Sequence, residues 1–134
     1  MRPAVLLSAI LLVLTLAMAG CGDERADLTE KRLDELYPGD IRNVDKIEIQ
    51  SGETGELRTF TDKEKIQAWI GEVRGMRFVP DPNQEDRSGF LYGVALFEKE
   101  ESKLGFTPSS TGGHYYIHNE PLRMKIQELF ESNP

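Results

Sequence analysis

Residues 44–75, VDKIEIQSGETGELRTFTDKEKIQAWIGEVRG, decide the fold. Ile47 and Ile49 alternate with Lys46, Glu48 and Gln50. A period of two with one apolar side predicts a strand buried on one face. Ser51–Glu56 holds Gly52 and Gly55 and reads as a hairpin loop, with Leu57–Phe60 as the returning strand. The period then changes. Ile66, Trp69, Ile70 and Val73 recur at i, i+3, i+4 and i+7, a single apolar stripe on a helix. Thr61 and Glu64 have the spacing of a capping box, Asp62 favours the positive helix start, and Gly75 stands where a C-terminal cap is expected. Two strands followed by an amphipathic helix, all within some thirty residues, is the opening of an α+β domain.

The stretch toward the C-terminus extends the pattern. Met76–Val79 reads as a short strand stopped by Pro80, and PDPNQEDRSG (80–89) as a loop. Phe90–Phe97 (FLYGVALF) is apolar on both alternating sides, which suits a central strand. Glu98–Ser102 is a charged turn, and Lys103–Phe106 a further strand. TPSSTGG (107–113) reads as a flexible loop and HYYIH (114–118) as a strand, with His114, Tyr116 and His118 on a half-exposed side and Tyr115 and Ile117 inward or across the sheet. Asn119 is placed to cap a last helix, Pro121 fits its first turn, and Leu122, Ile126, Leu129 and Phe130 form its stripe. The expected architecture is a mostly antiparallel sheet of about five strands with two amphipathic helices packed on one face, a single domain over 44–134.

Before that domain, residues 1–21 read MRPAVLLSAILLVLTLAMAGC. A lone basic residue, an apolar core and small residues ahead of the single cysteine make an export signal. Leu16-Ala17-Met18-Ala19-Gly20-Cys21 spells a lipobox: the thiol accepts lipid, and the small side chains of Ala19 and Gly20 admit the peptidase. Ordinary secretion, through the small residues Ala17 and Ala19, and an uncleaved anchor are the alternatives. The apolar run of about 17 residues spans only about 25 Å as a helix, against about 30 Å of hydrocarbon. A single cysteine in an exported chain cannot form an internal disulfide, so a lipid-bearing role gives the thiol a use. The expected organisation is a lipoprotein signal peptide at 1–20, a lipidated tether at 21–43 with a short helix capped by Thr29, and the domain after it.

The charge balance narrows the partners. The chain carries 16 basic and 23 acidic side chains, net −7, and loss of Arg2 with the signal takes it to −8. An acidic surface argues against nucleic acid and against adhesion to anionic headgroups. The expected membrane contact is then the lipid on Cys21, with a protein of the envelope as the expected partner.

Candidate chemistry is sparse. His114 and His118 have the i, i+4 spacing of a helical metal pair, but on a strand four residues span about 13 Å, too far for one zinc ion. Asp81, Asn83 and Glu85 imitate the first ligands of a calcium loop, which then fails: Asp86 replaces the glycine and Tyr92 the bidentate glutamate. Ser109 and Ser110 lie near His114 and Glu120 without a nucleophile motif. The phosphate-loop reading of 107–113 lacks its lysine and its helix. Phe90, Tyr92, Tyr115 and Tyr116 gather with the histidines in the second half, as core or as an interface. No catalytic residue, cofactor or metal is assigned. The expected function is a non-enzymatic binding or accessory module held at the outer face of the cell membrane; the alternative is a metal- or small-ligand-responsive domain using 81–86 or 114–118.

The lipobox, the short tether and the run KIEIQSGETGELRTFTDKEKIQAWIGEV (46–73) resemble small extracytoplasmic lipoproteins of Bacillus-like bacteria. The resemblance covers roughly 44–130. It implies a lipid-anchored domain without assigned catalytic residues, and it carries no functional residue across.

Overall fold

A computed structural model describes residues 28–133; the signal segment, Cys21 and the start of the tether lie outside the described residues. The elements follow in the order β1 (Lys31–Arg32), α1 (Leu33–Leu36), a 3-10 turn (Ile41–Asn43), β2 (Lys46–Ser51), β3 (Leu57–Phe60), α2 (Lys63–Val73), β4 (Arg77–Phe78), β5 (Tyr92–Glu98), β6 (Glu101–Thr107), β7 (Ser110–Thr111), β8 (His114–Tyr115) and α3 (Glu120–Glu131). The fold is α+β. Six strands form one antiparallel sheet in the order β3-β2-β5-β6-β7-β8, and β1 pairs with β4 in a separate two-stranded ribbon.

The sheet buries one side. Ile47 lies between Phe60 and Leu96, and Ile49 between Arg58 and Val94, so the alternation read in β2 continues in register across its neighbours. Phe60, Ile47, Ile49, Leu96, Val94 and Phe106 are all at most 3% exposed. The stripes of α2 (Ile66, Trp69, Ile70, Val73) and α3 (Leu122, Ile126, Leu129, Phe130) join them in one core. Each such side chain removed from water contributes about 1.5–3 kcal/mol before the entropy of ordering is counted. Trp69 ties the helices together by donating its indole N–H to the carbonyl of Lys125 at 2.8 Å. Asn119 caps α3, accepting from the Leu122 N–H at 3.0 Å and donating to the Arg77 carbonyl at 3.0 Å.

Several expectations need correction. The domain starts before residue 44. Leu33, Tyr37 and Ile41 are at most 3% exposed and belong to the core, so the stretch assigned to the tether is folded from Leu28 onward. Thr29 does not cap the short helix. The chain there is first a strand against β4, and α1 begins at Leu33, where the Arg32 N–H donates to the Glu35 carboxylate. Asp62 caps α2 in place of Thr61, its carboxylate taking the Lys65 N–H at the positive end of the helix.

The run 107–113 contains β7. Gly112 and Gly113, both at positive φ, turn the chain tightly into β8, and the HYYIH strand is cut to two residues, after which Tyr116 bridges Pro80. Past β8 the facing reverses: Tyr116 is 4% exposed and packs edge-on against Phe78, while Ile117 is 53% exposed. The β5–β6 hairpin closes through Lys99 and Glu100, both at positive φ, a turn that glycine or asparagine would adopt with less strain.

Candidate functional site

Among the described residues the helices cover only one face of the sheet. On the other, the strands carry Thr59, Glu48, Ala95 and Gly105 in one transverse row and Leu57, Gln50 and Gly93 in the next. Small residues in the middle strands leave a trough of about 450 Å³. Leu57 and Phe90 stand at one end, Tyr115 at the other. Glycine inside a strand marks a place where something approaches the backbone closely. That was the available signal for Gly93 and Gly105. The both-sided apolarity of 90–97 suits a central strand, and β5 is one, lying between β2 and β6.

The walls are held by the local chain. A Cβ on Gly52 would stand 1.6 Å from the Phe90 carbonyl oxygen, and one on Gly93 would meet the Phe90 ring at 3.3 Å. The Gly52 N–H donates to the Leu91 carbonyl at 2.8 Å. Glycine at both positions therefore allows Phe90 to lie where it does, 45% exposed. Tyr115 is clamped from outside: its hydroxyl accepts the Arg87 N–H at 2.9 Å, and the Arg87 guanidinium sits 4.7 Å above the ring. The Gln84 carboxamide accepts from the Tyr115 N–H and donates to the Tyr115 carbonyl, at 3.0 and 2.8 Å, imitating a further strand.

The electrostatics are one-sided. Among the described residues no lysine or arginine lines the trough, Glu48 is its carboxylate, and Glu48 has no ion-pair partner. Lys46, on the same face of β2, is engaged elsewhere: it reaches Glu100 at 3.1 Å and lies over the Phe97 ring. Thr107 and Ser110 share a hydroxyl–hydroxyl hydrogen bond of 2.6 Å at the trough wall.

The residues singled out from sequence are dispersed. His114 lies opposite Thr111 in the β7–β8 register, whereas Ser110 lies opposite Tyr115, so Ser110 and His114 project to opposite sides of the ribbon. Ser110 bonds Thr107, and Ser109 donates its N–H to the same Thr107 hydroxyl. His118 pairs with Glu120 at 2.8 Å, and Glu120 also binds Arg123 at 2.6 Å. These contacts, Arg123 first and His118 second, hold the Glu120 carboxyl down to about 2.

In the acidic loop the oxygens are used internally. Asp81 accepts from the Asn83 N–H and from Arg87, which lower its pKa, and Asn83 accepts from the Glu85 N–H. Among the described residues no three or more of His, Cys, Asp and Glu gather as a metal site. Tyr37, far from the trough, donates to Glu98 at 2.5 Å; burial first and that carboxylate second raise its pKa.

What the trough can do chemically is hold an apolar group between Leu57 and Phe90 and a cationic group at Glu48, over a floor that admits backbone. Compared with protein-family models, with curated proteins and with solved structures, the chain matches none of them. Among the described residues no helix is long and apolar enough to cross a membrane.

Proposed function

We propose that this chain is a lipoprotein, tethered by lipid on Cys21 to the outer face of the cell membrane, whose domain is a non-enzymatic binding or accessory module for another envelope protein. The observation that carries the binding half of this reading is the bare sheet face, with its trough of about 450 Å³ between apolar walls. The tether half rests on the lipobox around Cys21. A domain held at a surface reaches a high effective concentration toward partners on that surface, so a shallow interface suffices.

Two experiments test the halves separately. Labelled fatty acid should be incorporated by the native chain, and Cys21→Ala should lose both the label and membrane retention. Retention of Cys21→Ala in the membrane would sink the lipid tether. A photo-cross-linking side chain at Gln50, on the trough, should trap one dominant protein in cells, whereas the same group at Glu128, on α3, should trap none. Equal trapping from both sites would remove the trough as the binding face.

The volume of the trough lies within the about 300–1,000 Å³ usual for small-molecule sites, which favours a second reading as a small-ligand-responsive domain. That reading expects a melting temperature rising with the logarithm of ligand concentration.

A further inference from the structure

The two edges of the six-stranded sheet are treated differently. At β8, Tyr115 has both backbone groups taken by the Gln84 carboxamide, and Asp81 also donates its N–H to the Tyr115 carbonyl. At β3 nothing comparable occurs among the described residues. The Ser51 N–H donates to the Glu56 carbonyl at 2.9 Å and closes the β2–β3 hairpin. In an antiparallel pair the bonded positions alternate, so the following bonded pairs are Ile49–Arg58 and Ile47–Phe60. The other side of β2 agrees: the Gly52 N–H donates to Leu91, which gives the β5 side Gln50 and Glu48. Leu57 and Thr59 therefore point their N–H and C=O groups away from the sheet. Both residues are exposed, and their side chains lie on the trough face.

We propose that the β3 edge takes an extended segment of a partner protein as a seventh strand, with an apolar side chain against Leu57 and Phe90 and a basic one reaching Glu48. This rests on the binding-module reading and specifies its partner. Outward N–H and C=O groups at alternate positions are complementary to an extended peptide backbone. The cationic preference follows from charge: Glu48 lies beside Thr59, about two strand spacings or about 10 Å from the incoming strand, with no lysine or arginine among the described residues of the trough to neutralise it. A second copy of this chain fits less well. Self-pairing centred on Arg58 sets two guanidinium groups opposite each other and joins two acidic chains of net −7.

The test selects random octapeptides displayed on phage against the full chain in phospholipid nanodiscs, and then measures amide exchange. Selected peptides should alternate apolar and Lys or Arg residues on one side. The amides of Leu57 and Thr59 should become at least tenfold slower to exchange when a selected peptide binds. N-methylation of the peptide residues that face β3 should weaken binding at least tenfold with every side chain intact. Thr59→Pro should do the same; it removes an N–H that β2 does not use, and unchanged exchange in α2 and α3 would show that the domain is folded. Glu48→Gln should cost about tenfold and flatten the salt dependence.

Peptides that bind but protect other amides would overturn strand addition while leaving the binding module standing. Failure to select any peptide would remove both. Protection of Leu57 and Thr59 that rises with protein concentration in the absence of peptide would give the edge to a second copy, and would overturn the proposal.

Discussion

The two faces of the central sheet are built from the same strands and follow opposite rules. On the helix side β2 and β5 present Ile47, Ile49, Val94 and Leu96, all at most 3% exposed. On the other side the same strands present Glu48, Gln50, Gly93 and Ala95. One side is filled to the density of a core, where a lost methylene is felt at once. The other is left low at its centre and raised at its ends by Leu57, Phe90 and Tyr115. Stability is concentrated on the first face, and the second is free to vary in shape.

Adjacent residues should separate the two sharply. Ile49→Ala, on the helix side, is expected to lower stability by about 2–5 kcal/mol, read as a shifted urea midpoint. Gln50→Ala, its neighbour on the bare side, should stay within about 0.5 kcal/mol. Equal losses would mean that the bare face is packed after all.

Gly52→Ala comes next. The added methyl collides with backbone at Phe90, so the 89–91 segment must move. A loss of about 1–3 kcal/mol is expected, with faster amide exchange at Leu91, while the helices remain intact. Gly105→Val should do the reverse. Its Cβ meets only the Val94 carbonyl oxygen, at 3.8 Å, so stability should move by less than about 1 kcal/mol while the trough is partly filled and peptide affinity falls.

The smallest effect concerns acid. The folded Glu120 has its pKa lowered to about 2 by Arg123 and His118. A depressed carboxylate stabilises the fold above its unfolded pKa, and that contribution is lost as pH falls through the folded value. The urea midpoint should therefore fall as the pH is taken from about 5 to 2. Glu120→Gln should reduce that slope at the start of α3 and leave the midpoint at higher pH slightly lowered.

Sequence periodicity reached the helices, the β2–β3 hairpin and the antiparallel α+β class, because each depends on residues within a few turns of one another. It did not reach the role of 28–43. Leu33, Tyr37 and Ile41 are buried, but α1 has only four residues, and Pro38-Gly39 breaks any helical period linking them. Their burial depends on distant chain: β1, just before Leu33, pairs with β4, and Tyr37 reaches Glu98, 61 residues on. Strand order was equally hidden, since β2 meets β5 across a whole helix and a long loop. The trough was missed for a related reason: Glu48, Gly93 and Gly105 are unremarkable in their own strands and become neighbours only through register. The reversal at Tyr116 turned on a bridge to Pro80, which no local alternation could announce.

Trp69 is the single tryptophan of the chain, 5% exposed, with its indole N–H fixed on the backbone of the opposite helix. The protein thus carries an intrinsic optical gauge of the gap between α2 and α3. Its emission should be short in wavelength in the native state and should shift to the red when the helices part. Because the indole faces away from the trough, a ligand there should leave the spectrum unchanged unless binding is transmitted through the sheet.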